Sequence, residues 1–245
     1  VALVTDFGMT DSYVAEMCAV LLRIPGLRIL HLSHDLKPGD IEAAGYLIRR
    51  SAGILPDYSI LLAVVDPGVG SNRLAVVIRN RGKFFIGPDN GIFGPALDWD
   101  GPVEVRALTV PEGASATFHG RDLLAPAAVR LAAGDAFEDL GPAIQLIATR
   151  RPKRPVKVGS TWFGRVVHID RFGDVATDIP GAEAGWAVVP GYGRLGRQTH
   201  YAAMSSGMPF WLVGSDGCVE IAVQRGNAGH VLNLRPGDPI RLVEE

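Results

Sequence analysis

Short apolar runs alternate with amphipathic stretches over the first half of the chain. Val1-Ala2-Leu3-Val4 is an apolar run that stops at Thr5-Asp6-Phe7-Gly8. From Ser12 to Ile24, the positions Val14, Met17, Cys18, Leu21 and Leu22 recur at helical spacing. Thr10 or Asp11 is the expected cap of that helix, and Pro25-Gly26 its stop. Arg28–Ser33 reads as the next strand, and Pro38-Gly39-Asp40 introduces a helix from Ile41 to Ser51. Six apolar residues, Ile60 to Val65, then read as a strand buried on both faces. This β-α-β-α-β order predicts a mostly parallel central sheet with crossover helices, an α/β fold. Leu74–Arg79 and Lys83–Gly87 read as a hairpin joined at Asn80-Arg81-Gly82. Val103–Leu108 is a further strand, followed by a helix from Leu123 to Ala133 with Pro126 in its first turn.

The pattern changes at Arg150-Arg151-Pro152-Lys153-Arg154-Pro155, a basic, proline-bracketed segment. Helical periodicity fades after it. Thr161–Asp170, Trp186–Pro190, Phe210–Val213, Val219–Gln224 and Ile240–Val243 are short and strand-like, with dense turn signals between them. The expected organisation is an α/β domain over 1–150, a linker at 151–155, and a small antiparallel β-barrel-like domain over 156–245.

Composition narrows the class. Hydrophobic residues make up 47% and charged residues 20%, enough apolar surface for a well-packed core. The net charge of -2 argues against a polyanionic partner, so no nucleic acid is expected, and the basic segment reads as a solvated connector. No apolar run approaches the roughly 18 residues of a membrane span. No basic leader or cleavage site follows Val1, and a cytoplasmic location is expected. Cys18 and Cys218 show no metal-ligand or redox spacing and read as reduced, buried thiols.

Candidate chemistry collects at strand ends. The Ile60–Val65 strand runs into Asp66-Pro67-Gly68-Val69-Gly70, and Arg73 follows seven residues after the carboxylate. In open α/β sheets that edge is where ligands bind. Asp6, Asp11, Asp89 and His119 fall in comparable places. Three of them also have a plainer reading: Asp6 as a cap, Asp89 as a turn residue before Asn90-Gly91, His119 as a structural histidine. Phosphate-loop and dinucleotide fingerprints are absent, as is a serine-hydrolase elbow. A metal site of Asp6, Asp66, Asp89 and His119 lacks any supporting ligand spacing.

Six segments in order resemble the S-adenosylmethionine hydroxide adenosyltransferase family, adenosine-forming SAM hydrolases related to the fluorinases and chlorinases. They are Thr5-Asp6-Phe7-Gly8 with Asp11 and Tyr13-Val14, Val65-Asp66-Pro67-Gly68-Val69-Gly70-Ser71 with Arg73, and Pro88-Asp89-Asn90-Gly91. Thr117-Phe118-His119-Gly120-Arg121-Asp122, Ile169-Asp170-Arg171-Phe172-Gly173 and Glu220-Ile221-Ala222-Val223 complete the set. The resemblance implies hydrolysis of SAM at ribose C5′ to adenosine and L-methionine, with Asp66, Arg73 and His119 activating water. It implies no cofactor, no metal, and a homotrimer whose sites lie at subunit interfaces. Asp6 would hold the ribose hydroxyls and Asp170 the methionine ammonium. Ser215 would lie near the methionine carboxylate, while Asp174 and the backbone at Asn227-Ala228 would face adenine. Asp11, Asp89, Asn90 and Phe172 complete the implied substrate-binding set. A non-catalytic SAM-binding module and a metal-dependent hydrolase using the same carboxylates are the alternatives.

The residue types suit that reaction. A sulfonium departs neutral, so no general acid is required; the missing component is a nucleophile, because water has a pKa of about 15.7. A guanidinium can stabilise hydroxide, a histidine can take or relay a proton, and a carboxylate can orient both. The halogenating relatives carry tyrosine in place of Asp66 and Tyr-Ser in place of His119-Gly120, so a halide would be poorly held here. Other departures are Asp174 and Asp178 for the family's usual asparagines, Asp216 where halogenases carry arginine, and Ala15 and Ala19 for glycines. An ionised aspartate only accepts hydrogen bonds, so Asp174 could accept from the adenine amino group but not donate to a ring nitrogen.

Overall fold

The alternation of Leu62 and Val64 with Leu61, Ala63 and Val65 sends side chains into two separate apolar clusters, one on each face of the first sheet. That is why the strand carries no polar position. The computed structural model describes residues 1–145 and 154–245. The chain divides into two compact units, Val1–Pro152 and Lys153–Glu245. The connector expected at 151–155 overlaps residues 146–153, which lie outside the described residues.

The first unit runs β1 (Ala2–Thr5), α1 (Tyr13–Leu21), β2 (Leu30–Ser33), α2 (Ile41–Ile54), β3 (Ile60–Val64), β4 (Ala75–Asn80), β5 (Lys83–Pro88), β6 (Glu104–Leu108) and α3 (Ala125–Ala133). Its sheet has the order β2-β1-β3-β5-β4-β6. The β2-β1-β3-β5 part is parallel, and β4 pairs antiparallel with both β5 and β6, making the sheet mixed. The antiparallel part follows from the hairpin: Arg81 and Gly82 have φ of 48° and 68°, the two positive values of a tight strand-reversing turn. Met17 and Leu21 of α1 and Leu124 and Ala128 near α3 pack on one face of the sheet, while Ala44 and Ile48 of α2 pack on the other.

Two helix starts differ from expectation. Neither Thr10 nor Asp11 caps α1; Ser12 precedes it, and its hydroxyl donates to Glu16 Oε1 at 2.7 Å instead of accepting from the backbone. The helix expected from Leu123 is preceded by a five-residue π-turn, Gly120–Leu124, closed by Ala125 N–H on Gly120 O. By contrast, α2 is capped as expected, with Asp40 Oδ1 accepting from Ala43 N–H at 2.9 Å.

The second unit runs β7 (Val156–Val158), β8 (Thr161–Ile169), β9 (Val175–Pro180), β10 (Trp186–Val189), β11 (Gly193–Gly196), β12 (Pro209–Val213), β13 (Cys218–Val223), α4 (Ala228–Val231) and β14 (Pro239–Val243). The strands follow the order β11-β10-β14-β8-β9-β13-β12, with β7 on β8, and all these pairings are antiparallel. A single bridge between Arg197 and Trp211 draws the two ends together, so the sheet is nearly closed into a barrel. Val166, Ile179, Trp211, Ile221 and Leu242 fill its interior. Strand β9 escapes a hydrophobicity reading because Thr177 and Asp178 interrupt it. Both polar groups are absorbed: Thr177 Oγ1 donates to Val219 O at 2.8 Å, and Asp178 Oδ1 accepts from Arg165 N–H at 2.7 Å. Cys18 is half-buried and Cys218 buried, and both are free thiols.

Candidate active site

The loop after β3 makes two consecutive turns. Val69 N–H donates to Asp66 O and Ser71 N–H to Gly68 O, at 3.2 and 3.1 Å. Pro67 takes the position after Asp66, where its fixed φ suits a turn. The chain thereby doubles back and lays Arg73 along Asp66. Arg73 Nε donates to Asp66 Oδ1 and Oδ2 at 3.0 and 2.8 Å, and Nη2 also bonds to Oδ2. The two side chains are only 10% and 4% exposed, so each charge depends on the other for compensation.

Gly70 sets how close this loop comes to the His119 loop. Its φ is +77°, and a Cβ there would sit 2.6 Å from Ala116 O. That approach brings Arg73 Nη2 to 2.9 Å from His119 Nδ1. His119 stands at the start of the π-turn, a distortion frequent at functional sites. The turn is braced behind it: Asp122 Oδ2 accepts from Ser115 N–H at 2.9 Å, and Arg121 pairs with Asp122 and Glu16. Burial lowers the pKa of His119, with the Arg73 charge adding to it and Asp66 and Asp122 opposing.

Asp66 and His119 border a cavity of about 400 Å³ lined also by Asp6, Phe7, Pro38, Gly39, Val64, Pro67, Val69, Thr117, Phe118 and Gly120; Arg73, bonded to both, is not among the lining residues. Asp6 is aimed by Gly39, whose N–H donates to Asp6 Oδ2 at 2.7 Å. Phe118 packs edge to face on both Phe7 and Tyr13, and Phe7 and Tyr13 are tilted on one another, with ring centroids 5.2–5.8 Å apart. A Cβ on Gly120 would meet Met17 Sδ at 3.1 Å and Phe118 at 3.2 Å, so little room exists there for a larger residue.

The structure thus brings Asp6, Asp66, Arg73 and His119 together. Asp11 is exposed, and Asp89 is buried with its N–H on Leu74 O; neither lines the cavity. Asn90 does not line it either. Its side chain donates to Val65 O at 2.9 Å and accepts from Ile92 N–H at 3.2 Å, pinning the backbone beside Asp66. Among the described residues, no three His, Cys, Asp or Glu side chains converge as metal ligands would. Sequence reasoning passed over Phe7, Phe118 and Gly39 as site residues. Their adjacency to Asp6 and His119, and the Pro38-Gly39 turn after β2, were the available signals.

The second unit gathers the remaining candidates. Asp170 Oδ1 accepts from Phe172 N–H and Asp174 N–H, both at 2.9 Å, closing a tight loop whose Phe172 is 77% exposed. This loop rests on the start of α4. Gly229 N–H donates to Gly173 O at 3.1 Å, and Asn227 Oδ1 accepts from His230 N–H at 2.7 Å. Asp174 lies near Asp170 and Glu220, and the Tyr201 hydroxyl bonds to Glu220. Burial, then Asp170 and Glu220, push the pKa of Asp174 up to about 6, against a hydrogen bond from Tyr201. Tyr201 and Glu220 were missed because their proximity to Asp174 is tertiary. Ser215 sits exposed at the tip of the β12-β13 hairpin, and Asp216 Oδ1 accepts from Cys218 N–H at 3.1 Å.

Comparison with known proteins points in one direction. Residues 1–141 match the model of the SAM hydroxide adenosyltransferase N-terminal domain, and residues 164–241 match that of its C-terminal domain. The chain is 38% identical to an (R)-S-adenosyl-L-methionine hydrolase of Thermus thermophilus, over 98% of this chain and 97% of the relative. A fluorinase of an Actinoplanes species is more distant, 24% identical over 73% of this chain and 71% of the relative. Among solved structures, an uncharacterized conserved protein from Thermotoga maritima superposes with a TM-score of 0.91 at 28% identity, covering 99% of each chain.

Proposed function

The chain belongs to the SAM hydroxide adenosyltransferase family, and on that premise we propose that it hydrolyses S-adenosyl-L-methionine at ribose C5′ to adenosine and L-methionine. The observation that carries this reading is the buried Asp66–Arg73–His119 constellation, whose Asp66 and His119 lie on the wall of a cavity large enough for a small molecule. Because the Thermus relative is named for the (R) form, the (R)-sulfonium epimer is included as a substrate.

The geometry refines the roles. A guanidinium only donates, so His119 Nδ1 accepts from Arg73 and the neutral ring carries its proton on Nε2. In this state His119 offers the water a donor that orients it and is not the proton acceptor. Asp66 is the anionic member of the set, and Arg73 supplies the positive field in which hydroxide character develops. The water oxygen bonds to C5′ as the C5′–S bond breaks, the electron pair leaves with sulfur, and the water proton passes to Asp66 and on to solvent. Hydroxide and sulfonium annihilate charge, so a site that excludes bulk water favours the step.

For substrate binding we assign Asp6 to the ribose hydroxyls, Asp170 to the methionine ammonium, Ser215 to the carboxylate end, and Asp174 with the Asn227-Ala228 backbone to adenine. Phe172, Asp11 and Asp89 remain in the set by resemblance, and Asn90 supports the Asp66 turn. The same reading includes a cytoplasmic homotrimer that needs no metal or cofactor. Incubation with SAM in ¹⁸O-water tests the reaction: label is expected in adenosine, and unlabelled adenosine or unconsumed SAM would refute it. Turnover after exhaustive chelation separates this reading from a metal-dependent one, and sedimentation reads the trimer.

A further inference from the structure

A second hydrogen-bond chain runs behind Asp6 and has no part in the chemistry above. Thr5 Oγ1 lies 2.8 Å from His34 Nδ1, and His34 Nε2 lies 2.7 Å from His31 Nδ1. Thr5 is 0% and His34 6% exposed, so both groups are largely withdrawn from bulk water. Two proton arrangements are conceivable. In one, the Thr5 hydroxyl donates to Nδ1 and His34 donates from Nε2 to His31. In the other, His34 donates from Nδ1, and the hydroxyl proton of Thr5 is left without an acceptor among the described residues. An unsatisfied buried hydroxyl carries its full desolvation cost, so the first arrangement holds. It requires a neutral His34. Burial and the neighbouring His31 lower the His34 pKa, with Asp35 opposing, in agreement with that requirement.

His34 grips the Asp6 loop at two points. Its side chain holds Thr5, whose Oγ1 also accepts from Phe7 N–H at 3.3 Å. Its carbonyl accepts from Gly8 N–H at 2.8 Å. Asp6 and Phe7, the two residues between these anchors, both line the cavity. The Asp66, Arg73 and His119 side chains hang on other loops.

We propose that His34, acting through Thr5 and backed by His31, is a positioning residue that sets Asp6 and Phe7 for substrate binding. The inference rests on reading this cavity as the SAM site. It assigns His34 an effect on binding with little effect on the chemical step, since it touches none of the water-activating groups.

The test compares His34→Ala and His34→Asn in the full chain, measuring kcat and KM for SAM and, separately, the Kd of adenosine by calorimetry. The asparagine side-chain oxygen falls near the Nδ1 position and can accept from Thr5; alanine cannot. His34→Ala is expected to raise KM and the adenosine Kd about tenfold, a loss of about 1.4 kcal/mol, with kcat within about threefold. His34→Asn is expected to stay within about threefold of the parent in all three. Unchanged KM and Kd in His34→Ala, or a loss confined to kcat such as a partly unfolded sample gives, overturns the proposal. So does His34→Asn binding as weakly as His34→Ala. Should His34→Ala not fold, Thr5→Val removes the same hydrogen bond and is held to the same KM shift. If the parent protein binds adenosine yet leaves SAM intact, the proposed reaction fails, while the adenosine comparison still decides the role of His34.

Discussion

Arg73 bridges Asp66 and His119, its Nη2 bonding to Asp66 Oδ2 and lying 2.9 Å from His119 Nδ1. Because the guanidinium must donate on both sides, it fixes the imidazole as a neutral Nε2–H tautomer and leaves the carboxylate as the basic member. The sequence showed the three residue types; the order of donors and acceptors among them follows only from the geometry.

Protonation of His119 would set an N–H against the Arg73 guanidinium, so activity should fall on the acid side. The pKa of His119 lies below its ordinary 6.5 through burial and the Arg73 charge. The acid limb of kcat/KM is therefore expected below pH 6.5, the free-enzyme value being the one that this ratio reports. The stability tied to His119 has the same sign. Its folded pKa is depressed, so this contribution is present above the unfolded value and lost as the pH falls through the folded one. An acid limb with its midpoint at or above pH 6.5 would contradict the assignment.

Asp66→Asn keeps the shape of the side chain and removes its charge. Arg73 is then buried beside a neutral amide, and the negative member of the set is gone. Turnover should fall by about 100-fold or more, and stability by up to about 3–5 kcal/mol, the usual range when one partner of a buried pair is removed. Arg73→Lys should recover little activity, because an ammonium cannot reproduce the fork that spans Asp66 and His119. Paired thermal melts and SAM turnover separate the two losses, and near-parental turnover in a folded Asp66→Asn protein would remove Asp66 from the mechanism.

Gly70→Ala tests how the two loops meet. The new Cβ would sit 2.6 Å from Ala116 O at a φ of +77°. The Asp66 loop must then back away from the His119 loop, lengthening the Arg73–His119 contact. The expected result is a loss of stability of about 1–3 kcal/mol together with a fall in kcat of at least about tenfold. A variant with parental melting and parental kcat would show that the close approach is dispensable.

Much of this was legible in the chain itself. The β3 run announced a strand buried on both faces, and Asp40 announced the start of α2, because burial and capping act over a few neighbouring residues. The π-turn after His119 was not legible: its wide turn goes with how Gly120–Leu124 sits against α1 and with the bond from Ser115 N–H to its own Asp122. Nor was the Thr5–His34–His31 chain, whose first two members lie 29 residues apart and meet only because β1 and β2 are parallel neighbours. The task of Gly70 in admitting Ala116 O was not legible either, because the two residues meet only in the folded chain.

Asp174→Asn bears on the chain's clearest departure from its family. Burial and the Asp170 and Glu220 charges raise the carboxyl to about 6, so it carries a proton through much of the mildly acidic range. A protonated carboxyl has one donor and one acceptor, the same pair that an asparagine amide offers. An adenine contact made by Asp174 should then be strongest below about pH 6 and weaken as the group ionises, whereas the amide of the variant would hold it at every pH. Adenosine titrations between about pH 5 and pH 8 should show affinity declining with pH in the parent and flat in the variant. Folding has a matching signature. A raised carboxyl contributes stability that is present below its unfolded pKa of 3.8 and lost as the pH rises through about 6. The variant should accordingly melt higher than the parent above about pH 6, with the gap closing toward the unfolded value of 3.8. If the two proteins show the same pH dependence in binding, Asp174 does not touch the base, and the replacement of the family's asparagine is a feature of the barrel alone.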